Sequence, residues 1–282
     1  MNSENLLKYI CHFTFCCVII AAGIMLLMAQ SGKIIGKDQK TAEAITAARK
    51  ALGGEKNIDN IKSLILTGSR RHLKSGQRIE IEIRILFPDS FLQITKRDSF
   101  GNYIAYRGVS KGKLLQETFE DEKKILTSQE NLNSVINWFT CLLMGAVLKN
   151  EPDAPMSLTS VSDASNRFSL ANARGALGEI EFDSDSKYPV SISFKDIVGK
   201  ISSQISVGPK ANSQIISFPT EYNTVDTIMR FKDRAAVDGI MFPRAIVLER
   251  LDNRDADFEF KFDKIQINPK LTLADFEISQ SR

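Results

Sequence analysis

The sequence predicts a mainly β protein of the α+β kind. It would be a strongly curved antiparallel sheet or half-open β-barrel, with helices covering the concave side. Three observations carry this expectation. Arg78 to Phe87 alternates isoleucine with charge, so one strand face is buried and the other wet. Many such segments follow one another, divided by Gly-, Ser-, Asn- and Asp-containing turns. A long, nearly all-apolar helical segment, Thr127 to Leu148, interrupts them midway and needs cover on most sides.

The chain begins with a charge-free apolar run of 21 residues, Tyr9 to Ala29. Its length suits a membrane span. The small residues Ala29 and Ser31 flank Gln30 and suit cleavage of an export signal. Residues 1–31 are therefore read as a signal peptide or an uncleaved N-terminal membrane anchor. In both cases the remainder lies across the inner membrane, periplasmic or anchored facing the periplasm. Residues 32–40 read as a linker, and 41–278 as one domain.

Composition narrows the function. The 37 basic and 34 acidic residues nearly cancel, leaving no basic field for nucleic acid. Cys11, Cys16 and Cys17 sit in the apolar run, so Cys141 has no disulfide partner within the exported part. His72 is its one histidine.

Thr41 to Leu52 has helical spacing in Ala44, Ile45, Ala48 and Leu52, and Gly53-Gly54 stops it. Strands are expected at Ser63 to His72, Arg78 to Phe87, Phe91 to Lys96, Tyr103 to Gly108 and Lys113 to Phe119. Thr127-Ser128-Gln129-Glu130 reads as a capping box. It opens a helix whose broad stripe runs through Leu132, Val135, Ile136, Phe139, Leu142, Leu143, Ala146 and Val147, widened by Trp138, Met144 and Leu148. Further strands are expected at Ser157 to Asp163, Arg167 to Ala173, Gly178 to Phe182, Val190 to Lys195, Thr224 to Lys232, Ile240 to Leu251 and Asp257 to Ile267. In the last, the step from Phe262 to Ile265 breaks the alternation and suggests a bulge.

Four phrases carry a family resemblance: ARKALGG (Ala48 to Gly54) before the strand KSLILTGSRR, LFPDSFLQI (Leu86 to Ile94), DGIMFPRAI (Asp238 to Ile246), and FDKIQINPKLTLADF (Phe262 to Phe276). In layout and turn chemistry the chain resembles the periplasmic lipoprotein-carrier superfamily, the LolA-like proteins and related lipid-binding lipoproteins. The resemblance implies an apolar cavity between curved sheet and helices that takes acyl chains or lipidated proteins. The exported part is longer than the dedicated carriers, mainly in its second half.

The candidate cavity residues are Ile79, Ile81, Ile83 and Ile85 of the alternating strand, Trp138, Phe139, Leu143 and Met144 of the apolar helix, and Phe258 and Phe260 of the last strand. A dry core would bury the same residues. Asp252, Asn253, Asp255 and Asp257 lack the glycine and distal glutamate of a calcium loop and read as a solvated turn. His72 reads as a surface residue and Cys141 as a buried thiol. G-x-S-x-G, H-E-x-x-H and P-loop motifs are missing from the sequence. The expectation is thus no catalytic residues, no metal, no cofactor and no nucleic acid. The leading function is a monomeric, non-enzymatic envelope protein that carries or senses lipids or lipoproteins. The alternative is a structural or interaction module of the envelope with a self-filled core.

Overall fold

The computed structural model describes residues 34–97, 103–111, 113–115, 118–119, 122–123, 129–149, 155–162, 165–207, 214–251 and 257–276. The apolar run, the residues before the long helix and the turn at 252–256 lie outside them. Among the described residues no helix is long and apolar enough to cross a membrane.

The described residues form three α-helices: α1 (Gln39–Ala51), α2 (Glu55–Asp59) and α3 (Gln129–Val147). The strands are β1 (Ile34–Gly36), β2 (Ser63–His72), β3 (Arg78–Leu86), β4 (Ser90–Arg97), β5 (Tyr103–Ser110), β6 (Lys113–Leu115), β7 (Thr118–Phe119), β8 (Glu122–Lys123), β9 (Met156–Ser160), β10 (Arg167–Asn172), β11 (Gly175–Phe182), β12 (Pro189–Val207), β13 (Gln214–Val237), β14 (Ile240–Arg250) and β15 (Phe258–Ile267). Thirteen strands form one sheet in the order β1-β9-β10-β11-β12-β13-β14-β15-β2-β3-β4-β5-β6, and β7 pairs with β8 alone. β1 and β6 are the free edges, so the sheet is open.

The sheet also curls. β5 and β14 stand five steps apart in that order, about 24 Å across a flat sheet. Yet one helix, α3, touches both strands, and a helix is only about 10–12 Å across. It can meet both only if the sheet bends round it. Helix α3 lies in the concavity and touches β5, β6, β12, β13 and β14.

Four features differ from the expected layout. Part of the stretch 32–40 forms β1, which pairs parallel with β9, Ile34 opposite Met156. It is the exception to an otherwise antiparallel sheet. Helix α1 starts two residues early because Asp38 caps it, its Oδ1 accepting from the Thr41 amide at 2.7 Å. The other Asp38 oxygen accepts from the Ser160 amide at 3.1 Å, tying the helix to β9. Lys113 to Phe119 is split into β6 and β7. β12 and β13 run far beyond their expected ends, pairing from Ser191–Arg230 to Val207–Gln214.

The expected bulge is present, between Phe262 and Lys264. Opposite it, Gly68 packs so closely that a Cβ would fall 1.8 Å from the Lys261 carbonyl oxygen. No other residue fits there.

One apolar cluster joins α1, α3 and strands from both halves of the chain. Leu64, Leu66, Ile83, Ile85, Phe139, Met144, Leu158, Phe168, Ile192 and Phe242 are each at most 1% exposed. Each such side chain contributes about 1.5–3 kcal/mol relative to exposure. A smaller cluster of Leu92, Ile94 and Phe276 sits on the opposite face, where the 3-10 turn Leu273–Phe276 covers β4.

Candidate apolar interior and its polar basin

Strand alternation sets which side chains enter the concavity. On β2, Leu64 and Leu66 face inward opposite Ile85 and Ile83 of β3. Phe260 and Phe262 do so from β15, Leu248 from β14 and Met229 from β13. Helix α3 inserts its own apolar surface among them. Phe139 stacks on Phe91 of β4 with ring centroids 5.2 Å apart, and Trp138 meets Phe139 edge-on at 5.0 Å and Phe260 at 6.1 Å.

The sequence-predicted residues therefore converge. Ile81, Ile83, Ile85, Trp138, Phe139, Leu143, Met144 and Phe260 are buried in the main cluster, and Phe258 packs against it half-buried. Ile79, also half-buried, stands opposite Arg70 at the end of the ladder. Met144 is fully covered. The interior around α3 is filled by the protein's own side chains at these positions.

Two arginines and a lysine hold the C-terminal end of α3. The helix ends at Leu148, a non-glycine residue with φ 50°, where the Leu148 and Lys149 amides return to the Met144 and Leu143 carbonyls at 3.1 and 3.4 Å and the carbonyls beyond those need other donors. Arg234 donates to the carbonyls of Gly145, Ala146, Met241 and Pro189 at 2.6–3.0 Å and packs over Tyr188. Arg49 donates to Leu148 O at 3.1 Å and pairs with Asp59. Lys149 donates to Ile58 O and Asp59 O at 3.2 Å over the Phe87 ring. Burial pushes the Lys149 ammonium down to about 8, against the raising effect of Asp59. Burial likewise lowers Arg234 to about 10. Cations here also oppose the negative end of the helix dipole.

The other end of the concavity is polar. Arg70 of β2 is in phase with Leu64 and Leu66. Arg250 of β14 is in phase with Ile246 and Leu248. Asp196 of β12 follows Ile192 and Phe194, and Arg107 of β5 is in phase with the buried Val109. Asp196 is 2% exposed, accepts from Ser134 of α3 at 3.3 Å, and lies 3.8 Å from the Arg250 guanidinium. Phe258 is flanked by the Arg70 and Arg250 guanidinium carbons, 4.8 and 5.8 Å from its ring. His72 meets that ring edge-on at 5.2 Å. Gln93, Thr95 and Thr227 line the same face, all at most 9% exposed.

Sequence reading missed this basin. The signal was present: a charged residue standing in the apolar phase of an alternating strand. Cys141 is buried as expected, and burial, then the Asp196 charge, raises its thiol beyond ionisation. His72 accepts from the Ser75 amide at 3.0 Å in the β2–β3 turn. Among the described residues no group of His, Cys, Asp or Glu is placed to hold a metal. A groove of about 390 Å³ on the outer face, beside the bulge, is lined by Thr67, Ser69, Arg78, Glu80, Glu82 and Asp263. Its charges are mixed and converge on nothing.

No family model matches the sequence, and no curated protein matches it. Similar solved structures include a LolA superfamily protein from Nitrosomonas europaea, with a TM-score of 0.44 and 7% identity over 82% of this chain and 97% of that one. A domain described as outer membrane lipoprotein-sorting, from Vibrio parahaemolyticus, has a TM-score of 0.41 and 9% identity over 83% and 96%. A DUF1329 family protein from Desulfovibrio piger has a TM-score of 0.35 and 10% identity over 84% and 97%. Likeness this distant assigns no ligand and no role to this chain.

Proposed function

We propose that this chain is a non-enzymatic envelope protein that binds lipid acyl chains or lipidated proteins between its curved sheet and helix α3, as a carrier or sensor. In this reading residues 41–278 form a single half-barrel domain. The N-terminal segment takes it across the inner membrane and is either cleaved or kept as an anchor.

One observation carries the reading. An almost wholly apolar helix lies inside an open sheet rather than a closed barrel. The space around α3 can widen by movement of helix or sheet edges without breaking a strand ladder. Its lining suits a flexible apolar guest, since Met144, Trp138 and Phe139 adapt to irregular shapes. Transfer of acyl chains from water supplies about 0.8 kcal/mol per CH₂ buried, and no charged anchor is then required.

A second reading rests on the filled interior. Phe139 and Leu143 are each 1% exposed and Met144 is fully buried, as in a structural module whose core is complete without a ligand. Met144→Trp separates the two. If the interior yields to guests, the variant stays folded and loses copurifying lipid seen by native mass spectrometry. If the interior is a fixed core, overfilling costs about 1–3 kcal/mol. A destabilised variant, together with wild-type protein free of lipid, would establish the structural module instead.

A further inference from the structure

We propose that the inward-facing basin of Arg70, Arg107 and Arg250 receives the phosphate of an anionic amphiphile whose acyl chains enter beside α3. The inference rests on the lipid-binding reading above and adds the class of ligand.

The placement is the first ground. These arginines come from β2, β5 and β14, strands brought together only by the curl of the sheet. All three stand in the phase that carries Leu66, Val109 and Leu248 into the core. Placing a guanidinium there puts charge against apolar surface and lowers burial energy. Burial holds Arg250 below the usual guanidinium range, partly offset by Asp196 and deepened by Arg107.

The chemistry is the second ground. Guanidinium groups present planar pairs of donors that match phosphate oxygens. Asp196 does not use up the donors of Arg250: the pair is 3.8 Å apart, and the buried Arg250 Nε has no hydrogen-bond partner among the described residues. Asp257 spends one oxygen on the Arg250 backbone amide at 2.8 Å. Acting on Arg250 are thus the carboxylates of Asp196 and Asp257 and the cation of Arg107, with Arg70 over the same Phe258 ring.

The third ground is continuity. Phe258 lies between two of the arginines and on the same strand face as Phe260, which touches Trp138. Ile79 joins Arg70 to the isoleucine ladder in the same way. A phosphate in the basin therefore leaves its ester-linked chains pointing along an apolar path toward α3. Amphiphiles have that shape; inorganic phosphate has no use for the path.

The test offers the full-length protein mixed micelles of dioleoyl phosphatidylglycerol or of dioleoylglycerol, which has the same acyl chains and no phosphate. Lipid uptake is read by native mass spectrometry. Wild type should take up the anionic lipid at least about tenfold better, the worth of a charged hydrogen-bond pair. Arg107→Gln and Arg250→Gln should each lower uptake of the anionic lipid toward that of dioleoylglycerol. Arg107 makes no hydrogen bond among the described residues, so its variant removes the charge and none of the hydrogen bonds described above. Equal uptake of both lipids by wild type overturns the inference and keeps the lipid-binding reading. Uptake of neither overturns both. Inorganic phosphate bound by wild type and lost in Arg250→Gln, with no lipid taken up, marks a free-anion site and overturns the amphiphile.

Discussion

Lys149 illustrates how a single side chain is constrained by what it must close. Its ammonium bonds the end of α2 while lying over Phe87, and burial lowers its pKa from 10.5 to about 8. The unfolded lysine keeps its proton to about pH 10.5, so between the two values the unfolded chain binds more protons. Stability contributed at this position must then rise with pH across that window. Urea midpoints of wild type and Lys149→Met, taken at about pH 7.5 and 9.5, should diverge in favour of wild type as pH increases. Parallel pH dependences would show that the lysine is not held as described. Asp38 has the same sign in a lower pH window, since its pKa is lowered too. Hydrogen bonds from the Thr41 side chain and amide, then Ser160, hold its carboxyl below the usual aspartate range. Its capping contribution is present above that range and is lost only as pH falls through the lowered value.

At the scale of elements, the legible and illegible parts of the sequence divide along physical lines. The ladder Ile79 to Ile85 alternates without interruption, so β3 could be placed and its buried face named. The bulge near Phe262 was visible as a break in the same rhythm, and α3 as a stripe too wide for one contact. β1 was not legible. Its three residues, Ile34–Gly36, form a strand only because β9 offers a parallel edge, and no local pattern records a partner that far along the chain. The long ribbon of β12 and β13 was obscured because Gly199 and Pro219 break the alternation within it. The basin lay in plain sight at Arg70, Arg107 and Arg250. It is recognised only when the apolar phase of each strand is followed past its last hydrophobic residue and when strands distant in order are known to meet.

Helix α3 also shows how tightly an element can be fitted. A Cβ added at Gly145 would fall 1.9 Å from the Phe231 ring, itself 5% exposed and enclosed in the core. Gly145→Ala improves intrinsic helix propensity by about 1 kcal/mol, yet it should destabilise the domain, because overpacking costs about 1–3 kcal/mol. Chemical denaturation checks the sign. A stabilised variant would mean that α3 can move away from β13, and the C-terminal half of the helix would not be the fixed end of the interior.

Across the whole molecule, the chain has two ends of one concavity with different properties. Arg234, Arg49 and Lys149 fasten the C-terminal end of α3 to β13, α1 and α2. The N-terminal half of α3 faces the arginine basin, where contacts are looser: 3.3 Å from Ser134 to Asp196 and 3.8 Å from Asp196 to Arg250. An open sheet with one clamped end and one polar end can admit an amphiphile from the polar side without unfolding. The single tryptophan of the chain, Trp138, stands between these ends and touches Phe139 and Phe260. It is therefore a natural reporter of what enters. The most direct measurement is Trp138 fluorescence of the full-length protein exposed to phosphatidylglycerol brominated in its acyl chains, compared with the same lipid unbrominated. If acyl chains occupy the space beside α3, the heavy atoms reach the indole and emission falls sharply with the brominated lipid alone. Emission that is identical with the two lipids, under conditions where both bind, would contradict an acyl-chain site in the interior.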